Sequence, residues 1–206
     1  MDTTTAIIIL VFVVTIFSSF GGNKGYTPPS APQPMPHPTF SRPAGSMYAP
    51  LDPSYLAVVG ENARFSIKSY ILSFRKEWEA EAITDAIMRH SQKYNVNPKL
   101  VTALIRRESG FNPRAVSSSG AMGLGQLLSS TCKTTGVTNP FDIDDNVKGT
   151  VRYMKYLLDR FKNYGDQVSF ALAGYLEGPN AVARKQGYKP HTASYVKDII
   201  EIYHKI

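Results

Sequence analysis

Hydrophobic and polar positions fall into three regimes along the chain. Residues 6–20, AIIILVFVVTIFSSF, form an uncharged apolar run. Residues 23–53 carry nine of the 14 prolines and few large apolar side chains. Beyond residue 53 apolar positions recur every three or four residues, the period of a helix. Ile83, Ala86, Ile87, His90 and Tyr94 make one such stripe, and Val147, Val151, Met154, Leu158 and Phe161 another. Further stripes run through Val168, Ala171, Leu172 and Tyr175, and through Tyr195, Ile199 and Tyr203. No alternating strand pattern stands out. Turn signals at Asn97-Pro98, Asn112-Pro113, Asn139-Pro140, Gly178-Pro179 and Lys189-Pro190 separate the stripes. The pattern predicts a mainly α domain of six or more short helices over residues 77–206. Residues 54–76 read either as an accessory amphipathic helix or as more linker.

A membrane span takes about 20 predominantly apolar residues, the apolar part of a signal peptide about 7 to 15. The run has 15 residues, or 20 with its flanks at 3–22, and Asp2 is the only charged side chain before it. A secretory signal opens with positive charge, so residues 1–22 are read as an uncleaved anchor through residues 6–20, with a signal segment cleaved after Gly21 as the alternative. Lys24 and Arg42 follow the run, opposite to what positive-inside logic asks of an outward-facing domain. The proline-rich stretch cannot bury a core and favours extended conformations, so it is expected to be a stiff linker.

The net charge of +7 lies almost wholly after residue 53, where 21 Lys and Arg face 14 Asp and Glu. Such a domain calls for an anionic partner: nucleic acid, anionic lipid and the acidic polymers of a bacterial wall all qualify. Nucleic acid is not expected, because neither zinc-ligand spacing nor aromatic-basic alternation is present. The one cysteine, Cys132, excludes an intramolecular disulfide and reads as a small buried apolar residue.

Candidate chemistry begins in residues 98–108, PKLVTALIRRE. Pro98 opens a helix, and Leu100, Val101, Leu104 and Ile105 share one face. Four steps of about 100° from Leu104 bring Glu108 within about 40° of that stripe, while Arg106 and Arg107 point elsewhere. A carboxyl in an apolar cleft resists ionisation and keeps a proton near neutral pH, as a general acid must. On the helix alone, a buried glutamate tied to a partner or capping a helix end is the favoured reading.

The continuation narrows the choice. Residues 106–127, RRESGFNPRAVSSSGAMGLGQL, then 172–182, LAGYLEGPNAV, and 192–196, TASYV, occur in the order of, and resemble, the lytic transglycosylase family with its goose-type lysozyme-like fold. The resemblance covers essentially residues 80–204 and rests on three ordered motifs. It implies Glu108 as catalytic acid and base, Ser109 as its hydrogen-bonding neighbour, and Gly123, Leu124 and Gln126 as elements of the sugar cleft. Gly125 stands where the family usually has Met. Tyr175 matches a tyrosine expected near the carboxyl, and Tyr195 a later tyrosine that also reads as core. Leu176 replaces a usual Asn, and Glu177 adds a second carboxylate, read as an exposed loop charge rather than as a water-positioning group. Gly120 and Gly123 also have a purely structural reading, as turn residues.

By the same resemblance the substrate is peptidoglycan, cut between MurNAc and GlcNAc, with the substrate's acetamido group assisting and a 1,6-anhydro-MurNAc end as product. No metal or organic cofactor is expected. A muramidase that delivers water, and a noncatalytic peptidoglycan-binding tether, are the alternatives. An anchored enzyme would face the periplasm or cell envelope; the membrane of a phage virion, or secretion after cleavage, are the other locations, with secretion-machine or virion components as partners.

Overall fold

The computed structural model describes the backbone of residues 53–206 and side chains from residue 60 onward. The apolar run and nearly all of the proline-rich stretch, and with them the anchor and linker expectations, lie outside the described residues. Eight helices follow: α1 (Pro53–Leu72), α2 (Glu77–Tyr94), α3 (Pro98–Ser109), α4 (Ser129–Thr135), α5 (Ile143–Arg160), α6 (Gln167–Glu177), α7 (Pro179–Lys185) and α8 (Pro190–Lys205). Among the described residues there is no strand, only isolated antiparallel bridges of Met122 with Val116 and with Leu127. No helix among them is long and apolar enough to cross a membrane.

Local chemistry sets the boundaries. Asn97 accepts hydrogen bonds from the N–H groups of Lys99 (2.9 Å) and Leu100 (3.4 Å), satisfying donors that the first turn of α3 leaves open. Asp142 does the same for Asp145 in α5 at 2.8 Å, and Asp166 for Ser169 in α6 at 3.1 Å. Pro98, Pro179 and Pro190 each occupy a first helical position, where a missing N–H costs nothing. All five turn signals fall outside or at the start of helices.

The predicted stripes become one core. Ile83, Ala86 and Ile87 of α2 meet Val147, Val151 and Met154 of α5, with Leu104 and Ile105 of α3 and Ile199 of α8 beside them, all fully buried. Helix α3 therefore runs through the interior, flanked by α2 and α8. Within residues 54–76, α1 packs on α2 and buries Ile67 and Ile71 completely. Each such side chain contributes about 1.5–3 kcal/mol of burial. Around them, Arg64 and Lys68 pair with Glu77, Glu81 and Asp85 of α2. A smaller cluster of Leu127, Cys132 and Val137 sits under α4, where Cys132 is buried as a small apolar residue should be.

Candidate active site

Glu108 occupies the last turn of α3, which ends at Gly110 in the left-handed conformation (φ +58°). The turn between α1 and α2 reinforces this end, with Arg75 Nη2 donating to the Gly110 carbonyl at 3.1 Å. Glu108 as a residue is half-buried, and its carboxyl is set deep among its neighbours. Burial pushes its pKa up to about 7, against the opposing pull of a hydrogen bond from Tyr195 and of the Arg107 charge.

Tyr195 comes from α8, is 4% exposed, and donates its hydroxyl hydrogen to Glu108 Oε1. It is thus an orienting partner of the carboxyl more than a sugar-facing surface. Arg107 reaches the same corner from outside: its Nε donates to Asp198 Oδ2 at 3.0 Å and its guanidinium lies 5.3 Å from the centroid of the Tyr195 ring. Arg106 turns away and lies over the ring of Phe74 at 4.0 Å.

Tyr175 approaches from α6, and its hydroxyl donates to the carbonyl of Gly125 at 2.6 Å. Burial first, and the nearby Glu108 charge second, hold its pKa well above the ordinary tyrosine value; the same two causes act on Tyr195. Both phenols therefore remain protonated donors. Ser109 donates to the Ile105 carbonyl of its own helix at 3.3 Å, not to the carboxyl.

The loop after α3 is held by its backbone. Gly123 has φ +72°, and a Cβ there would meet the Pro140 carbonyl oxygen at 2.0 Å, so both conformation and space demand glycine. A Cβ on Gly125 would meet Thr150 Oγ1 at 2.0 Å, so the glycine at the family's methionine position lets α5 close on the loop. Leu124 between them is fully buried in the core and lines no cleft with its side chain. Gln126 also has positive φ (49°), and its amide donates to the carbonyls of Gly123 (3.0 Å) and Ala115 (3.2 Å), closing the loop on itself.

Two residues that sequence reasoning missed hold this loop to α5. Asn146, 1% exposed, accepts from the Gly125 N–H at 2.8 Å and donates to the carbonyls of Met122 (3.1 Å) and Pro140 (2.7 Å). Thr150 donates to the Asn146 carbonyl at 2.9 Å. Their signal was present: they are polar residues on the same buried face as Val147, Val151 and Met154.

Glu177 is not an exposed loop charge. It is the last residue of α6, and its Oε1 accepts from the Lys189 N–H at 2.8 Å and the Thr192 hydroxyl at 2.5 Å. Burial alone would raise its pKa, but those two donors outweigh it and hold the carboxyl below its ordinary value. The physical reason is the start of α8, which brings donors but no acceptor of its own. Leu176 beside it is 44% exposed, an apolar side chain where the family commonly has Asn. One carboxyl, Glu108, thus sits among two tyrosines and a cation in an arrangement suited to giving and retaking a proton.

Comparison with known proteins identifies a family. The family model described as "Transglycosylase SLT domain" matches residues 85–197. A transglycosylase of Enterobacteria phage PRD1 is 39% identical over 109 residues, which cover 53% of this chain and 40% of the phage protein. Membrane-bound lytic murein transglycosylase F of Desulfosudis oleivorans is 29% identical over 125 residues, covering 56% of this chain and 28% of that protein. The chain therefore spans well under half the length of these relatives. Among solved structures, the 70 kDa soluble lytic transglycosylase SLT70 of Escherichia coli matches with a TM-score of 0.51 at 17% identity, over 71% of this chain and 29% of that one. That likeness establishes a shared fold.

Proposed function

Starting from the chain's membership of the Transglycosylase SLT domain family, we propose that it cleaves the MurNAc to GlcNAc bonds of peptidoglycan and leaves 1,6-anhydro-MurNAc ends. The observation that carries this reading is Glu108: a carboxyl with its pKa at about 7, set in the last turn of α3 with Tyr195 bonded to its Oε1. The name of one relative, a membrane-bound lytic murein transglycosylase, supports the same substrate.

In the proposed reaction Glu108 donates its proton to the glycosidic oxygen as the bond to the anomeric carbon breaks, and the substrate's acetamido oxygen assists at that carbon. The carboxylate so formed then takes the proton from the MurNAc 6-hydroxyl while O6 closes on the anomeric carbon. Glu108 ends protonated, ready for the next bond, and no water is consumed. A second carboxylate, which most glycosidases need as nucleophile or base, has no step to perform here. Glu177 is accordingly free to serve elsewhere in the fold. Tyr195 orients the acid, Tyr175 ties α6 to the Gly125 carbonyl, and the loop around Gly123 and Gln126 forms the sugar-side wall.

The apolar run at residues 6–20 is proposed to tether the enzyme to a membrane, with the proline-rich stretch as spacer and the catalytic domain on the wall side, in a cell envelope or a virion. Mass spectrometry of peptidoglycan digested by the full chain tests the chemistry. Ends lighter by one water than reducing ends are expected. Reducing ends alone would make the protein a muramidase, and intact glycan would make it a binding tether.

A further inference from the structure

Helix α8 delivers Tyr195 to Glu108, and beyond Pro190 at its first position its own sequence offers no side-chain cap to hold its start. Lys189, in the N-cap position, makes no side-chain hydrogen bond to the first turn, Pro190 has no N–H, and the first turn carries no acidic residue. A helix start ordinarily takes an acceptor or a negative charge at this point. Here Glu177 supplies both from the end of α6. Its Oε1 accepts from the Lys189 N–H at 2.8 Å and from Thr192 Oγ1 at 2.5 Å, and Thr192 is fully buried. Its Oε2 is buried and makes no hydrogen bond among the described residues, so the carboxylate is committed to this one tie.

Thr192 and Tyr195 are three residues apart on α8, neighbours along one helix face. We infer that Glu177 is a positioning residue, which fixes the first turn of α8 through Lys189 and Thr192 and thereby holds the Tyr195 hydroxyl on Glu108. The inference deepens the proposed function and rests on Glu108 being the acid. The groups that act on the Glu108 carboxyl are Tyr195 of α8, Arg107 beside it on α3 and, across the site, Tyr175 of α6. Tyr195 lies on α8 itself, and Arg107 is tied to the same helix further along, through Asp198.

The test uses the full chain with Glu177→Ala, Glu177→Gln and Thr192→Val, reading helicity, kcat and KM on glycan strands, and the titration of the Glu108 carboxyl by carbon-13 NMR. Loosening α8 should lower kcat by about 10-fold to 10²-fold with KM little changed, because the acid is misaligned rather than the substrate lost. The Glu108 midpoint should rise in Glu177→Ala and Thr192→Val, since Tyr195 no longer favours the carboxylate. Glu177→Gln keeps an oxygen able to accept both bonds, and should retain most of kcat and the wild-type midpoint. Should one of the two disrupting variants fail to fold, the other decides. Folded variants with wild-type kcat and midpoint would overturn the inference, and so would Glu177→Gln as impaired as Glu177→Ala. The midpoint is read without turnover, so it judges the tie separately from the reading of Glu108, which full activity in Glu108→Gln would end.

Discussion

Tyr195 donates its hydroxyl to Glu108 across 87 residues of sequence, joining the C-terminal turn of α3 to the first turns of α8. The pair sits where two effects compete: burial favours the neutral carboxyl, and the tyrosine hydrogen bond favours the ionised one. Burial prevails, so Glu108 holds its proton to about pH 7. The reaction proposed above needs both forms in turn, and a midpoint near neutrality makes both reachable.

Glu108→Gln preserves shape and removes the proton. Cleavage should fall by about 10² to 10⁴-fold, the usual contribution of general acid and base help, with helicity unchanged. In the wild type, kcat/KM should decline as pH rises through about 7, the value set mainly by burial, because the free enzyme then loses its acid. Rates of glycan cleavage across the acid range and up to about two pH units above the midpoint check this. An alkaline limb centred near 4 to 5 would show that the active carboxyl is not this one.

The same burial has a cost in stability whose sign can be worked out. The folded protein holds a proton on Glu108 up to about pH 7, while the unfolded chain releases it near the ordinary value of 4.5. Between those values the native state binds more protons, so this group lowers stability as pH rises through that window, and the full loss is present above it. Glu108→Gln removes the effect. By the size of the shift it should be more stable than wild type by a few kcal/mol at pH 8 and nearly equal at pH 4. Thermal melts at the two pH values decide it, and an unchanged or lower Tm at pH 8 would contradict the burial argument.

Tyr195→Phe isolates the hydrogen bond from the packing of the ring. The variant should fold, raise the midpoint of Glu108, and move the alkaline limb of the rate profile upward with it. Loss of one oriented partner of the acid should cut kcat by roughly 10-fold. A profile identical to wild type would mean that the hydroxyl has no hold on the carboxyl in solution.

Much of this was legible from local pattern, and what was not is long-range. The stripe of Leu100, Val101, Leu104 and Ile105 placed Glu108 at the edge of a buried face, and the structure buries that stripe. Asn97-Pro98 marked the start of its helix, because capping and proline geometry are local. The partners of Glu177, by contrast, lie 12 and 15 residues away, beyond α7, and no period encodes them. Leu124 and Gln126 were expected in the sugar cleft. Yet burial claims the first side chain, and the second spends its amide on the loop's own carbonyls. Position in a motif does not settle which atoms face the substrate.

Residues 54–76 bear on where the domain begins. A chain starting at residue 54 should fold, whereas one starting at Glu77 loses Ile67 and Ile71, two fully buried side chains, and the Arg75 bond to the end of α3. At about 1.5–3 kcal/mol per buried isoleucine, the shorter chain gives up much of the 5–15 kcal/mol typical of a domain. Urea unfolding of the two truncations should show a clearly lower midpoint for the shorter one. Equal midpoints would return this segment to the linker.

Gly125 gives the last test, because it stands where the family usually has Met and the structure supplies a reason. Its backbone lies against α5, where a Cβ would meet Thr150 Oγ1 at 2.0 Å and the Thr150 Cβ and Cγ2 atoms at 3.0 Å. Thr150 is fully buried and cannot swing away without breaking its bond to the Asn146 carbonyl. Gly125→Ala should therefore destabilise by about 1–3 kcal/mol, the usual cost of overpacking. The strain should also reach the loop, since the Gly125 N–H is held by Asn146 and its carbonyl by Tyr175. Thr150→Ala removes the Oγ1 and Cγ2 contacts and leaves only the Cβ at 3.0 Å, so the double variant should recover part of the loss. A coupling of about 0.5–3 kcal/mol in the double-mutant cycle is expected for residues in direct contact. Strict additivity would show that the loop escapes the clash by moving off α5, and that Gly125 is not what brings the two together.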